Sequence, residues 1–477
     1  MKSLAPLIKT LQNIMRKDQG VSGDAQRIEQ LGWMLTLKII DDKDTELELL
    51  NDDYKSVIPA KLQWRNWAAN AEGMTGDELK DFIDRKLFPG LKAINVSTGN
   101  KRALLIREIF EGTNNYMKNG TIIRQVLNQL NQIDFNVSED RHLFGDIYET
   151  ILRDLQSAGN YGEFYTPRAI TELLTEIINP RLGEKILDPA CGTGGFLTSA
   201  IENIRRQDVK GVRDLKKLED TVHGLEFKPL PFMLCVTNLI LHDIDAPNID
   251  YTDSLNREYT GIGARDRVDV ILANPPFGAS VTDGVETNFP LNFRTTESAD
   301  LFLLLMIRYL KDGGRAAIVL PDGSLTGDGV KARIREEWLT KCNLHTIVRL
   351  PNSVFQPYAS VATNLLFFTK GEPTKEIWYW EHKLPEGIKA YSKTKPIQKD
   401  EFASLKKWWT KRKENDQAWK VSIKTLQENG FNLDIKNPHV PETEQQYSSG
   451  ELLAMLHESF RKSDDLVVKL KKELGGV

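Results

Sequence analysis

Hydrophobic and polar positions along this chain follow one rhythm up to about residue 156, a second to about residue 372, and a third beyond it. The first rhythm is helical: Leu4, Ile8, Leu11 and Met15 keep helical spacing, and "EQLGWMLTLKIIDDKD" and "HLFGDIYETILRDLQ" set apolar stripes among charges. In the latter, Leu143, Ile147, Ile151 and Leu155 recur every fourth residue. "SAGNYGEFYTPRAI" breaks the pattern, and after Pro167 "AITELLTEIINP" predicts a short amphipathic helix closed by Pro180 and Gly183. Strands then alternate with helices, the strands being "KILDPA", "TVHGLEF", "VDVILANPP", "RAAIVLP", "LHTIVRLP" and "TNLLFFT". This alternation predicts an α/β domain with a largely parallel, doubly wound sheet covered on both faces.

In the third stretch "KEIWYWEH" reads as a strand and "LKKWWTKRKENDQAWKVS" is basic and rich in tryptophan. The segment "ELLAMLHESFRKSDDLVVKLKKEL" reads as one long helix whose stripe of Leu452, Leu456, Phe460, Leu466, Val467 and Leu470 needs a surface to bury against, on its own chain or on a partner's helix. The expected organisation is a helical domain at 1–156, a Rossmann-like catalytic domain at 157–372, and a C-terminal region at 373–477 ending in a helix for subunit contact.

Composition narrows the setting. A chain of 477 residues with 40% hydrophobic and 27% charged positions has enough apolar surface for two or three domain cores. Cys191, Cys235 and Cys342 are too few and too scattered for a disulfide framework or a zinc site, which favours a reducing cytoplasm, and no metal centre is expected. Lys9 and Asn13 interrupt the first apolar stretch, so no secretory signal is expected, and "LFLLLMI" falls far short of the ~20 residues that span a bilayer. No membrane partner is expected. The net charge of -4 argues against a protein that grips nucleic acid unaided, because Lys and Arg supply most non-specific affinity for phosphates.

Candidate chemistry sits at the ends of the strands. "KILDPACGTGGF" runs from a strand through Asp188 into a glycine turn, Gly192, Gly194 and Gly195, and then a helix. The spacing is not that of a dinucleotide fingerprint, and Asp188 would repel a pyrophosphate while suiting a ligand with a cationic amino group. Glu226 ends the next strand, where a carboxylate accepts hydrogen bonds from ribose hydroxyls, and Asp253 in "YTDSL" is placed to meet an adenine edge. Each acid alone reads more readily as a helix cap or solvated loop residue than as a ligand contact; the three in order, with the glycine turn, favour an adenosine cofactor bearing a cationic amino acid.

"DPACGTGGF" followed by "NPPF", with "GEFYTPR" ahead of them, resembles the S-adenosylmethionine-dependent amino-methyltransferases of DNA. With "GGRAAIVLPDGSL", "LHTIVRLP", "TNLLFFTKG" and the N-terminal helical block, nearly the whole chain resembles the modification (methylase) subunit of type I restriction-modification systems, the N6-adenine DNA methyltransferase family. The resemblance implies a cofactor site for S-adenosyl-L-methionine comprising Glu163, Phe164, Tyr165, Thr166, Pro167 and Arg168, then Thr193, Gly194 and Gly195, with Glu226 on the ribose. Asp188 and Asp253 join it from the reading above. It also implies double-stranded DNA as substrate, a separate specificity subunit carrying two methylase copies, and a restriction/translocase subunit in the full complex.

"NPPF" fits that chemistry. An exocyclic amino group is a poor nucleophile because its lone pair is delocalised into the ring, and two fixed acceptors localise that pair toward the methyl group. Asn274 offers its side-chain oxygen and Pro275 its carbonyl; Pro275 and Pro276 stiffen the turn. A duplex base must be flipped out to react, and Phe277 is the ring expected to stack on it. The motif by itself specifies only a planar amine, so N4-cytosine, RNA and protein-glutamine methylation stay open, as does a non-catalytic assembly scaffold. Neither Cys191 nor Cys235 fits a nucleophile for carbon methylation. About a hundred residues after "TNLLFFTKG" are too few for a region that reads DNA bases, which agrees with borrowed specificity.

Overall fold

Continuous apolar runs such as Val268–Ala273 form strands buried on both faces, the pattern expected of a parallel sheet with helices above and below it. In the computed structural model, which describes residues 5–96, 99–136, 166–356, 361–392, 394–439 and the helical positions 456–461, 463–464 and 466–467, these runs assemble into a nine-stranded sheet among the described residues. Its strands are β1 (Ile186–Asp188), β2 (Val222–Glu226), β3 (Asn248–Tyr251), β4 (Val268–Ala273), β5 (Leu310–Pro321), β6 (Cys342–Arg349), β7 (Thr363–Lys370), β8 (Glu376–Glu381) and β9 (Ala418–Ser422). The order across the sheet is β3-β2-β1-β4-β5-β7-β6-β8-β9. The pairs from β3 to β5 are all parallel. β7 runs antiparallel between β5 and β6, β8 is parallel to β6, and β9 is antiparallel to β8.

All seven strands expected from the sequence are present. The two that were not expected, β3 and β9, are short edge strands. β3 buries Ile249 fully and little else, and β9 buries Trp419 and Val421 while Lys420 and Ser422 face out, so neither shows a continuous apolar run. Since β8 and β9 join the same sheet, residues 376–422 continue the α/β layer. The tryptophans of the basic stretch turn inward: Trp408, on the Ala403–Thr410 helix, packs against Trp378 and Trp380 of β8, and Trp409 packs against Phe367 of β7. Lys406 and Lys399 pair with Glu176, and Lys399 also with Glu172, which ties this stretch to the Arg168–Ile178 helix.

A core lies on each face of the sheet. Along β4, Val270 and Leu272 belong to one and Ile271 and Ala273 to the other; along β7, Leu365 and Phe367 belong to the first and Leu366 and Phe368 to the second. The first core runs on into the N-terminal helices, including Trp33, Phe88 and Phe110. There the Asp24–Leu50 helix packs on the Pro229–Leu241 helix between β2 and β3. Gly32 permits the close approach, because a Cβ there would lie 2.7 Å from the Met233 methyl and 3.4 Å from Leu230. Polar contacts pin the same seam: the Thr36 and Thr237 hydroxyls are 2.8 Å apart, Lys43 sits 3.3 Å from Asp243, and Arg102 donates to the Asp245 carbonyl while pairing with buried Asp44.

Residues 1–436 form one compact unit and 437–477 a second. In the second, the described positions between 456 and 467 are helical, with Leu456, Phe460, Leu466 and Val467 exposed. The helix expected around Leu143–Leu155 lies outside the described residues. No helix among those described is long and apolar enough to cross a membrane.

Candidate functional site

Because β1, β2, β3 and β4 are parallel, their carboxyl ends share one edge of the sheet, and the chain leaves that edge through the segments singled out in the sequence. Asp188 ends β1 and is 1% exposed. Its Oδ1 accepts a 3.1 Å bond from the Ala190 amide. Burial pushes its carboxyl up to about 8, opposed by that amide and reinforced by the Glu226 charge.

Glu226 ends β2 and ties the glycine turn to it. Its Oε2 accepts from the Gly192 amide at 3.0 Å, and its Oε1 accepts from the Phe227 and Lys228 amides at 2.9 and 2.8 Å. Gly194 takes a left-handed conformation, φ 82°, and opens the Gly195–Asp208 helix. A Cβ on Gly194 would lie 2.9 Å from Cys235 Sγ, so this position needs both the freedom and the smallness of glycine. The Thr193 carbonyl accepts a 3.1 Å bond from Asn238, on the same helix as Cys235. Cys191 and Cys235 are buried with their sulfurs 3.7 Å apart. That contact, together with burial, pushes the Cys191 thiol well above its ordinary range, which suits packing and not nucleophilic attack.

Asp253 accepts from the Leu255 amide at 2.9 Å, capping a short turn after β3. The neighbouring Ser254 hydroxyl bonds to the Pro189 carbonyl, joining this turn to the one after β1. Phe227 stands 51% exposed directly after Glu226. Neither Ser254 nor Phe227 was singled out from the sequence; an aromatic residue directly after a strand-end acid is the signal that could have found the second.

Asn274 follows β4. Its Nδ2 donates a 2.8 Å bond to Thr166 Oγ1, while its Oδ1 is buried with no hydrogen-bond partner among the described residues. A buried acceptor in that state costs about 1–3 kcal/mol and calls for a donor. The turn beyond it is held by Ser298, whose hydroxyl donates to the Pro276 carbonyl at 2.9 Å. Phe277 is 7% exposed and meets Phe355 edge-on, ring centroids 6.1 Å apart. Phe355 escaped the sequence reading, since nothing local sets it apart from a core ring.

The structure thus brings Asp188, the Gly192–Gly195 turn and Glu226 together, links Asp253 to them through Ser254, and joins Thr166 to Asn274. Arg168 pairs with Glu172 at 2.9 Å and Glu202 at 3.5 Å, and Pro167 sits at the N-terminal cap of its helix. Glu163, Phe164 and Tyr165 lie outside the described residues.

The family model described as N-6 DNA Methylase matches residues 139–447, and that described as HsdM N-terminal domain matches residues 4–130. The chain is 52% identical to the type I restriction enzyme EcoEI methylase subunit of Escherichia coli, over 99% of this chain and 98% of that one. A modification subunit assigned to a type I restriction enzyme of Vibrio vulnificus YJ016 superimposes with a TM-score of 0.83 at 43% identity, covering 92% of this chain and 97% of its own. A chain from a structure concerning complex assembly and conformational transition of the type I restriction-modification system does so with 0.81 at 32% identity, covering 99% and 98%. The chain belongs to the N-6 DNA methylase family, as a methylase subunit of the type I restriction-modification kind.

Proposed function

We propose that this subunit moves the methyl group of S-adenosyl-L-methionine to N6 of an adenine flipped out of double-stranded DNA. The donor set suits that cofactor: two carboxylates flank a turn in which a Cβ on Gly192 would meet nothing within 4 Å, and an exposed ring, Phe227, follows one of them. Asp188, giving up its proton beside the cation, would take the methionine amine, Thr193 to Gly195 the adjoining backbone, Glu226 the ribose and Asp253 the adenine edge, with the stretch from Glu163 to Arg168 completing the set. Glu226 must share its Oε2 between the ribose and the Gly192 amide. The cofactor supplies an activated methyl; the chain supplies position.

The observation that carries the reading is the buried Oδ1 of Asn274, without a hydrogen-bond partner among the described residues. With the Pro275 carbonyl it forms an acceptor pair for the two hydrogens of an amino group, drawing the nitrogen lone pair toward the methyl. No covalent intermediate with the protein is needed, and alignment of nitrogen, methyl and sulfur does most of the work. Phe277, paired with Phe355, offers the ring system for the flipped base.

Target choice is proposed to come from a separate specificity subunit that takes two copies of this chain, with a restriction/translocase subunit completing the assembly. The near full-length match to a type I methylase subunit supports this, as does the likeness to a chain from a type I assembly. The three-part layout, 1–156, 157–372 and 373–477, is kept as a functional division, with the terminal helix as the subunit contact. In the complex with its specificity subunit, Asn274→Ala is expected to lower methyl transfer about 10²–10³-fold with cofactor affinity unchanged. Nucleoside analysis of the DNA is expected to show N6-methyladenine; retained transfer by the variant, or N4-methylcytosine in the product, would overturn the reading.

A further inference from the structure

A second buried side-chain oxygen stands without a partner at the edge of the sheet that carries Asn274. Thr363, the first residue of β7, is 1% exposed, and its Oγ1 has no hydrogen-bond partner among the described residues. Burying an unpaired hydroxyl is unfavourable, and a valine would fill the same space without that cost. Asn364 beside it also buries an unpaired Oδ1, but it stands opposite Leu320, on the face of the second core, and its Nδ2 is engaged by Asp322 at 2.6 Å.

Strand register relates Thr363 to Asn274. On β5, Ala317 and Val319 stand opposite Phe367 and Leu365 of β7, all four in the first core, and the same register sets Pro321 opposite Thr363. Side chains alternate along a strand, so Thr363 shares the face of Leu365. Asn274 lies two residues beyond Leu272 of that core, and its amide meets Thr166 just ahead of the Arg168–Ile178 helix, whose Ile170 and Leu173 belong to the core as well. The two oxygens thus lie on one face, on strands that β5 holds about 10 Å apart, two strand spacings. Phe277 follows β4 and Phe355 follows β6, so their ring contact crosses the same interval. A purine held by its amine at Asn274 fills that interval and brings its far ring edge to Thr363.

We infer that Thr363 is a base-binding residue for the methyl transfer: its hydroxyl donates a hydrogen bond to N3 of the target adenine, the ring nitrogen opposite the amino group. The inference rests on the acceptor role of Asn274 proposed above and gives that site its far wall. A ring nitrogen can only accept, and a hydroxyl is free to rotate and donate to it. The Asn274 and Thr363 oxygens are alike enclosed, so whatever admits the amine to one admits the ring to the other. The cost of leaving the hydroxyl unpaired is recovered only when a flipped base arrives.

The test uses the methylase with its specificity subunit, on the duplex site mapped by sequencing modified bases in host DNA, with adenine or 3-deazaadenine at the target. In the analogue a C–H replaces N3. Thr363→Val is expected to lower kcat/KM on adenine about tenfold, the scale of one net hydrogen bond, and to melt no lower than the parent, since a methyl replaces an unpaired hydroxyl. The analogue is expected to cost the parent the same factor and to cost Thr363→Val nothing further. Thr363→Ser, which keeps the hydroxyl, should keep the sensitivity to the analogue. A merely structural role leaves the two losses independent, so that they multiply. Multiplied losses, parent-like kcat/KM in Thr363→Val, or a serine variant indifferent to the analogue would overturn the inference. If Asn274→Ala retained transfer, the proposed acceptor would fall instead, so the two failures are distinguishable.

Discussion

Asp188 is an acid whose surroundings oppose its own charge. Its carboxyl, almost fully enclosed and pushed up to about 8 by burial with help from Glu226, holds a proton that the unfolded chain releases near 3.8. A group whose value is raised on folding stabilises the protein at low pH, and that stability is lost as the pH climbs through the folded-state value. Asp188→Asn should therefore melt higher than the parent, with a gap in Tm that widens from about pH 4 to about pH 8 and then levels off, while cofactor affinity falls. Melting curves across that range check the sign; a gap that narrows with pH would mean the carboxylate is stabilised by a charge partner. In the sequence, Asp188 and Asn274 were legible because each ends a strand beside a turn that has few other uses. Their partners were not. The Thr166 bond to Asn274 and the Phe355 ring beside Phe277 join residues far apart in the chain, and the local pattern at 166 and 355 is ordinary.

At the scale of the element, the glycine turn is defined from two sides: its own backbone at Gly194 and the Cys235 sulfur beneath it. Gly194→Ala meets both obstacles. A left-handed φ costs a side-chain residue about 1–2 kcal/mol, and the new methyl must displace the sulfur. Cofactor affinity is expected to fall at least tenfold, as titration calorimetry would show. Adding Cys235→Ala should recover the part due to crowding and leave the part due to the backbone. Parent-like affinity in Gly194→Ala would place the cofactor elsewhere. Elements with short apolar runs rich in β-branched residues, bounded by turn residues, were legible in the sequence, since a strand buried on both faces is apolar throughout. β3 and β9 were not, because an edge strand asks little of its side chains and so writes little into the sequence.

Across the whole molecule, the seam between the N-terminal helices and the α/β layer depends on Gly32. A larger residue there cannot be absorbed as alanine is, by a shift of the Met233 methyl, because Leu230 stands close behind. Gly32→Val is expected to cost about 1–3 kcal/mol and to lower Tm by several degrees, whereas Gly32→Ala should be near neutral; equal melting of both variants with the parent would mean the seam is looser than it looks. The helical character of both sides was evident from their periodicity, but the pairing was not, since nothing in either helix names its neighbour.

The Pro229–Leu241 helix meets Gly32 and Thr36 through Met233 and Thr237, and the glycine turn through Cys235 and Asn238. In mechanical terms it is a lever with a load at each side and little slack at either. A tilt imposed on the N-terminal helices would reach Gly194 through this one helix, with no loop between. Strain in Gly32→Val should therefore surface as faster amide hydrogen exchange at Gly194 and Gly195 before the protein melts, and the N-terminal helices act as the footing on which the turn's stiffness stands.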